Sequence, residues 1–575
     1  MIKKVRTAGG ITTTLNDKHY LAAGGEGSIY VNGGIAYKLY HDPDKKATPP
    51  QKIQELSRIT NPNVIVPRDL IYDVADGKTI GYTTNFVSDA NPLIRFITKT
   101  FKVANNIDHN MIAELVKQMQ LTTVDIHTSN CLIVDYNELN VLVKIVASDL
   151  IPYYIDTDSY ATPSYRATAV MDSIRDRRVT SYDKAGTMHY NPDVMSDWYS
   201  FGILAFWLYS NIHVFRGIHP NYKPNQKHKQ MDDGVSVFHP GVRVPPLVND
   251  FNIIPKRHLD WFKDIFRDNK RSIPPLPDSI APIAVPTQII IVNGTDKLAV
   301  TEIASYSSAV HSVIQHMGVN YVVTQTHGYS DKKEIIAWNK PQKVLLCPAS
   351  DGTMVSAILK GTTVSFSDMS SGVPFETIQS KDMFQRNGAI YTMAAGKLIE
   401  NSFSRLGQKF IHRIKELENV SQLTATMYDG CVIQDLLGKK FLVLPYKKEM
   451  CFSRYIPQLD AYRVIDAKAD KNVVVVIAEK SGKYSRFIII FEKKEYRSFE
   501  VREVVDVAFD DINFAVLENG LCMLLASPTE LELFVEANKY DTMTDPPFDA
   551  NMPLFSTSSG FFFINNNSIH QVKRK

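Results

Sequence analysis

The sequence is most informative at Asp125-Ile126-His127-Thr128-Ser129-Asn130, which continues into the apolar run Cys131-Leu132-Ile133-Val134. A second acidic segment, Asp156-Thr157-Asp158, ends another apolar run, Ile151 to Ile155. Both segments place oxygen-bearing side chains beside an expected strand. Carboxylate and amide oxygens are the ligands that Mg²⁺ prefers in proteins. The two segments therefore carry side chains of the kind that bind this ion.

An acid, an amide five positions later and a further acid downstream form a pattern that resembles the phosphoryl-transfer site of the protein-kinase superfamily. The resemblance implies that Asp125 is the catalytic base. It implies that Asn130 and Asp156 bind Mg²⁺, with Asp158 as a ligand for a second metal ion. It also implies ATP as the phosphate donor.

The segment before Asp125 extends the resemblance. Leu21 to Tyr30 is glycine-rich, and glycines let a turn offer its backbone N–H groups to phosphates. Lys38 follows on an alternating strand, where the kinase pattern places its phosphate-binding lysine. Glu55 lies in a predicted helix, Pro49 to Ile59, and would pair with Lys38. The resemblance therefore implies these nucleotide-binding residues: Gly24, Gly25, Gly27, Lys38 and Glu55.

Two later features also match the family. A predicted amphipathic helix, Asp108 to Leu121, leads to Asp125. Asp197-Trp198-Tyr199-Ser200-Phe201-Gly202 resembles the opening of a central kinase helix, and Asp197 is expected to cap that helix and hold the catalytic-loop backbone. Arg271 is expected to pair with Asp193. The resemblance covers about residues 14–275, and it predicts an α+β, two-lobed protein-kinase-like domain over residues 1–275.

Departures from the family pattern leave three functions open. The first is an ATP- and Mg²⁺-dependent serine/threonine protein kinase, with Lys38 and Asp125 as catalytic residues. The second is a pseudokinase scaffold, because Thr123-Val124 replaces the usual His-Arg and the usual Phe-Gly after Asp156 is absent. The third is a small-molecule kinase, suggested by His127 where protein kinases carry a lysine. The match from Asp197 to Gly202 favours a protein acceptor.

The second half has a different pattern. Residues 276–286 form a proline-rich linker. Residues 287–575 contain short β-branched and aromatic runs that predict strands, among them Ile289–Val292, Phe487–Phe491 and Val505–Phe509, and turn residues such as Asn293-Gly294 and Asp351-Gly352 separate the runs. Blocks recurring near every 40 residues predict an all-β domain, a β-propeller of six or seven blades, with a pair of β-sandwiches as the alternative. A propeller suggests a docking platform for a protein substrate or partner.

Composition narrows the functional classes. The formal charge of +3 over 575 residues gives no reason to expect nucleic acid or an anionic membrane as a partner. The 5 cysteines lack paired spacing, which suits a reducing compartment and argues against a zinc site. The N-terminal residues do not predict a signal peptide, and no apolar run predicts a membrane span. We therefore expect a soluble, cytoplasmic protein.

Overall fold

A computed structural model describes residues 3–24, 26–167, 169–185, 187–223, 226–244, 250–277, 294–339, 341–508 and 510–575. The chain divides into two compact units, Met1–Pro286 and Thr287–Lys575, which are treated separately below. None of the helices in the described ranges is both long enough and apolar enough to cross a membrane.

The first unit combines strands and helices. Its described strands are β1 (Lys3–Thr7), β2 (Thr12–Leu15), β3 (Tyr20–Ala23), β4 (Gly27–Asn32), β5 (Ile35–Tyr40), β6 (Leu70–Asp73), β7 (Thr79–Asn85), β8 (Ala90–Pro92), β9 (Val141–Val146), β10 (Asp149–Tyr154), β11 (Thr180–Tyr182) and β12 (Met188–Tyr190). Its described helices are α1 (Pro43–Lys46), α2 (Pro50–Leu56), α3 (Lys99–Ala104), α4 (His109–Thr128), α5 (Val194–Ser210), α6 (Lys227–Asp232) and α7 (Lys256–Phe266).

The largest sheet of this unit has the strand order β2-β1-β6-β7-β5-β4-β3, with antiparallel neighbours. Strands β4 and β5 form a tight hairpin through Gly33 and Gly34, which both have positive φ, as a two-residue turn of this hand requires. Alternation along β5 sends Leu39 into one core, while Tyr40 packs with Ile53 of α2 on the other face. Lys38 lies on the same face as Tyr40, opposite Tyr82 of β7.

Helix α4 is longer than predicted. Its N-terminus lies where the sequence places it, with the Asp108 side chain accepting a hydrogen bond from Met111 N at 2.9 Å. The predicted end at Leu121 is wrong, because the helix continues to Thr128. The added turns are rich in β-branched residues, which are poor helix formers. Thr122, Thr123 and Ile126 are nevertheless buried, so tertiary packing outweighs propensity here.

Strands β9 and β10 form an antiparallel hairpin in which Val141 pairs with Tyr154. Because the strands are antiparallel, the residues just before β9 and just after β10 lie at the same end of the hairpin. Those residues are Asn140 and Ile155-Asp156, and their backbones meet: Ile155 N donates to Asn140 O at 2.9 Å.

In its described residues, the second unit has seven four-stranded antiparallel sheets. The strands in chain order are β13 (Leu298–Ser305), β14 (Val310–His316), β15 (Val319–Thr324), β16 (His327–Ser330), β17 (Lys333–Ala337), β18 (Lys343–Pro348), β19 (Met354–Lys360), β20 (Thr363–Asp368), β21 (Pro374–Gln379), β22 (Met383–Arg386), β23 (Ala389–Ala394), β24 (Lys397–Leu406), β25 (Lys409–Asn419), β26 (Thr426–Tyr428), β27 (Cys431–Leu436), β28 (Lys439–Lys447), β29 (Met450–Tyr455), β30 (Arg463–Asp470), β31 (Val473–Lys480), β32 (Lys483–Phe491), β33 (Phe499–Val505), β34 (Phe514–Val516), β35 (Cys522–Ser527), β36 (Glu530–Glu536), β37 (Lys539–Thr544), β38 (Leu554–Thr557), β39 (Gly560–Asn565) and β40 (Ser568–Arg574).

Six sheets are consecutive four-strand meanders, from β14–β17 to β34–β37. The seventh joins the two ends of the unit, because β13 pairs with β40. Each sheet packs on the next through a shared apolar cluster, and strand β34 of the sixth meander contacts β38 of the closing sheet. The closing sheet packs in turn on β14–β17. The second unit is therefore all β, as its β-branched and aromatic runs predict.

Most of the predicted runs in this unit lie within strands, for example Phe487–Phe491 in β32. Of the predicted run Val505–Phe509, Val505 ends β33 and residues 506–508 are not in a strand, while Phe509 lies outside the described residues. The predicted strand Ile289–Val292 also lies outside the described residues.

Candidate functional site

Lys38 is the centre of a charged cluster in the first unit. Its Nζ lies 2.7 Å from Asp156 Oδ1 and 3.0 Å from each carboxylate oxygen of Asp158. The Lys38 and Asp158 side chains are 12% and 6% exposed, whereas Asp156 is 41% exposed. The structure thus brings together three of the residues that the sequence selects.

Asp158 is the most enclosed member of the cluster. Tyr82 donates its hydroxyl to Oδ1 at 2.7 Å, and Tyr40 donates to Oδ2 at 3.3 Å. Lys52 Nζ donates to the Asp158 backbone carbonyl at 2.6 Å. Burial disfavours the Asp158 charge, but Lys38 and the Tyr82 hydroxyl outweigh it and hold the pKa of Asp158 below its usual value. Asp158 is therefore a charged, fixed anchor.

Asp156 has a different environment. Its backbone adopts the left-handed conformation with φ of 59°, which aspartate tolerates better than most residues. Partial burial and the neighbouring Asp158 charge raise its pKa, although Lys38 acts in the opposite direction. Lys38 donates to its Oδ1, and its carboxylate also lies close to that of Asp158.

A second Asp-Asn pair, with the spacing of Asp125 and Asn130, lies at the end of the β9–β10 hairpin, where the Asn140 backbone binds Ile155. Asn140 Nδ2 donates to Asp135 O and to Asp135 Oδ2, both at 3.1 Å. Asp135 Oδ1 also accepts from Met171 N at 2.9 Å. Burial raises the pKa of Asp135, although these hydrogen bonds oppose the shift. Asp135 and Asn140 therefore sit at the end of the β9–β10 hairpin where Asp156 emerges.

Asp197 of α5 holds the backbone that leads into Asp135. Its carboxylate accepts from Ile133 N at 2.7 Å and from Val134 N at 2.8 Å, and His127 Nε2 lies 2.9 Å from Oδ2. Asp197 is expected to hold the backbone of the predicted loop from Asp125 to Asn130, and instead it holds residues 133–134, just before Asp135. The cap of α5 is Asp193 and not Asp197, because Asp193 accepts from Ser196 N at 2.8 Å.

The structure places Asp125 and Asn130 away from this cluster. Asp125 lies in the last turn of α4, exposed, and accepts from Asn61 Nδ2 at 2.6 Å. Asn130 follows that helix in a left-handed conformation and is exposed. Within the described residues neither side chain forms a hydrogen bond with Lys38, Asp156 or Asp158. The reason is the extension of α4, which makes the predicted loop helical.

Glu55 does not pair with Lys38, contrary to the expectation. Its carboxylate accepts from Ser164 N at 3.2 Å, and Gln51 Nε2 lies 3.4 Å away. The polar groups of Thr162 and Ser164 close to its carboxylate lower the pKa of Glu55 to about 2. Asp158 takes the place beside Lys38 that the resemblance assigns to Glu55.

The predicted glycines differ in their roles. A Cβ on Gly27 would lie 2.5 Å from Leu39 O, so this glycine permits close approach of β4 to β5. Gly24 has open space around its Cα, and Gly24 N donates to Gly27 O at 2.9 Å. Gly25 lies outside the described residues.

The expected pair of Arg271 and Asp193 is also absent from the described contacts. Arg271 binds Asp176 through two hydrogen bonds, of 2.9 and 2.7 Å. Asp193 binds Arg178 Nη2 at 2.7 and 2.8 Å. The two ion pairs lie side by side, because Arg178 Nε also approaches Asp176 at 3.5 Å.

Asp135 and Asn140 are the residues that the sequence prediction missed. Two signals point to them: the same Asp-x4-Asn spacing, and a position directly before the strand Val141–Val146. If Asn130 is the metal-binding amide, the segment that connects it to Asp156 is unusually long for the family. The segment from Asn140 to Asp156 is shorter.

Within the described residues, no group of three or more His, Cys, Asp or Glu side chains is arranged to hold a metal ion. A magnesium ion here would depend on Asp156 together with amide oxygen and water. The Asn140 side-chain oxygen fits that requirement, since no described residue donates to it.

No protein-family model matches the chain, and a search of curated proteins finds no significant match.

Proposed function

We propose that the first unit is a kinase-like phosphotransferase that uses ATP and Mg²⁺ and transfers phosphate to a serine or threonine hydroxyl of a protein. One observation carries the proposal: the Lys38 ammonium lies 2.7 Å from Asp156, and Ile155, directly before Asp156, binds the backbone of Asn140, whose side chain binds Asp135. A cation, a metal-binding acid, an amide and a second acid are the groups that phosphoryl transfer requires. They come from separate parts of the chain, which a purely structural role does not require.

Each of these residues has a role that its environment supports. Lys38 supplies a fixed positive charge for the phosphates, because its carboxylate partners raise its pKa despite burial. Asp156 Oδ2 and the Asn140 amide oxygen would hold Mg²⁺. When bound, the metal neutralises phosphate charge.

Asp135 is the proposed base, in place of Asp125. Its raised pKa makes the carboxylate a better proton acceptor at neutral pH. Its hydrogen bonds to Asn140 and Met171 fix its orientation. Asp197 fixes the preceding backbone, so the acceptor hydroxyl would meet a preorganised carboxylate.

For the second unit we infer a seven-bladed β-propeller that docks a protein partner. Seven four-stranded sheets, each packed on the next and closed by the pairing of β13 with β40, support the propeller. The docking role is an analogy with other propellers.

A pseudokinase scaffold is the second candidate, and one observation favours it. Asp156 and Asp158 already pair with Lys38, so the charge of the lysine is compensated without a nucleotide. A buried ion pair of this kind can serve structure alone.

The repeated Asp-x4-Asn spacing provides a matched experiment. Three full-length proteins, the wild type, Asp135→Ala and Asp125→Ala, are each incubated with radiolabelled ATP, Mg²⁺ and a generic protein acceptor. The rate of phosphate transfer is measured for each. We expect Asp135→Ala to lower the transfer rate by about 10²- to 10⁴-fold, as loss of a general base does. Asp125 is an exposed helical residue, so its replacement should stay within about twofold.

The opposite pattern, with loss only in Asp125→Ala, would return the catalytic role to Asp125. If wild type binds ATP but transfers no phosphate to protein or to small alcohols, the scaffold is correct. Transfer to a small alcohol alone would identify a small-molecule kinase.

A further inference from the structure

The carboxylate that fixes Lys38 can be identified from the hydrogen bonds around it. Both carboxylate oxygens of Asp158 accept a hydrogen bond from Lys38 Nζ, at 3.0 Å each. The same two oxygens accept from Tyr82 and Tyr40, and Lys52 binds the Asp158 carbonyl. Asp158 is therefore held on all sides by buried donors.

Asp156 cannot provide the same restraint. The Asp156 side chain is 41% exposed. Among the described residues, the cation that donates to the Asp156 carboxylate is Lys38. A lysine has a flexible stem and a point charge, so it takes its position from the partner that is itself fixed. That partner is Asp158.

Helix α2 makes its polar contacts elsewhere. Lys52 binds the Asp158 carbonyl at 2.6 Å, Glu55 accepts from Ser164 N at 3.2 Å, and Gln51 Nε2 donates to Ser164 Oγ at 3.2 Å. All three side chains reach the segment 158–164, and in the described contacts none reaches Lys38. The helix thus holds the segment that carries Asp158.

We propose that Asp158 is the positioning residue of Lys38 and that α2 acts on the site only by clamping residues 158–164. The proposal rests on the proposed phosphotransferase function. The orientation of Lys38 is then set by its position on β5 opposite Tyr82 of β7 and by its bonds to Asp158. It does not require a carboxylate from a helix. Displacing Glu55 would loosen the segment 158–164 without releasing Lys38.

Activity in a double-mutant cycle separates positioning from general stability. We expect Asp158→Asn to lower kcat for phosphate transfer by about 100-fold, the size of effect that small misplacements of a reacting group produce. In a Lys38→Ala background the same change should add less than about twofold, because the two residues act as one unit. A purely structural Asp158 would lower activity equally in both backgrounds, which would overturn the proposal.

Glu55→Gln is the comparison variant. Its effect should be the same in the wild-type and Lys38→Ala backgrounds, because Glu55 does not act through Lys38. If Glu55→Gln is silent in the Lys38→Ala background and costly otherwise, Glu55 is the positioning residue and Asp158 is not.

A second readout needs no activity. Thermal unfolding of the same variants, without nucleotide, should show strong coupling between Lys38→Ala and Asp158→Asn and additive shifts for Lys38→Ala with Glu55→Gln. If the wild type is inactive but Lys38→Ala and Asp158→Asn are still coupled in thermal unfolding, Asp158 positions Lys38 and the proposed phosphotransferase function is wrong. Should Asp158→Asn fail to fold, Tyr82→Phe removes one donor to Asp158 and should show the same coupling in weaker form. Additive shifts for Tyr82→Phe with Lys38→Ala would overturn the proposal.

Discussion

His213 is a buried side chain whose protonation state the fold decides. Its Nε2 lies 2.9 Å from Ser173 O, which can only accept, and its Nδ1 accepts from Phe215 N at 3.2 Å. The ring must therefore be neutral, with the proton on Nε2. Burial and the nearby Arg216 charge hold the pKa of His213 well below its usual value.

Stability of the first unit should consequently fall in mild acid. The pKa of His213 is lower in the folded than in the unfolded chain, so the unfolded chain binds the proton first as pH falls below 6.5. We expect a loss of up to about 1.4 kcal/mol per pH unit from this group below that pH, and full stability above it. The measurement is the denaturant midpoint of the full chain between about pH 5 and 7.5, which spans the ordinary histidine range.

His213→Gln should remove this slope, at a cost in stability at the upper end of that pH range. The exposed His189 provides the control, and His189→Gln should keep the slope. An unchanged slope in His213→Gln would assign the acid sensitivity to another group.

Single residues also mark the limit of prediction from the sequence. Lys38, Asp156 and Asp158 stand where charged groups end or interrupt apolar runs, and a local pattern of this kind is readable. The choice between Asp125 and Asp135 is not local. It depends on whether residues 122–128 are helical, and only the burial of Thr122, Thr123 and Ile126 against the rest of the unit decides that.

Helix α5 organises the site through one carboxylate. Asp197 is fully buried, and its two oxygens accept the N–H groups of Ile133 and Val134. Val134 itself has a φ of 64°, unusual for a β-branched residue, so this backbone is held in a conformation that it would not adopt alone.

We therefore expect Asp197→Ala to destabilise the first unit by about 2–6 kcal/mol, because two buried N–H groups lose their acceptor. Asp193→Ala is a suitable control on the same helix. It removes the N-cap and should cost only about 1 kcal/mol. Denaturant unfolding measures both. Equal losses would show that the Asp197 contacts contribute no more than an ordinary cap.

Elements built from short-range signals are predictable. The type of turn between β4 and β5 follows from two adjacent glycines, and the start of α4 follows from its Asp108 cap. The run Val64–Val66 predicts a strand, but it forms only a single bridge in the described residues, from Val64 to Tyr154. A short apolar run becomes a strand only if a neighbouring strand is available to pair with it.

The all-β character of the second unit can be predicted from its recurring apolar runs and turns. The pairing of its first and last strands, which closes the unit, cannot be predicted in this way. The strand β13 pairs with β40 at the far end of the chain, from Leu298 with Arg574 to Ser305 with Ser568. No local pattern encodes such a partner, because pairing depends on the six intervening sheets bringing both ends together.

The two units should fold independently of each other. Each has its own buried clusters: Tyr37 and Leu39 pack within the first, and the sheet-to-sheet clusters lie within the second. The end of the first unit is tied to that unit, because Gln120 Nε2 donates to Pro274 O at 2.8 Å and His258 Nε2 lies 2.9 Å from Pro275 O. A cut after Asp278 leaves these anchors intact.

We expect fragments 1–278 and 279–575 to fold separately, since compact units with their own cores generally do. Fragment 1–278 should bind ATP and phosphorylate a generic acceptor at a rate within about threefold of the full chain, while phosphorylation of the natural partner falls because the docking unit is gone. Cutting instead after Gly241 removes α7, whose Trp261 and Phe262 are buried, and provides the negative control. An insoluble fragment 1–278, or one that does not bind ATP when the full chain does, would show that the second unit is required for the fold of the first.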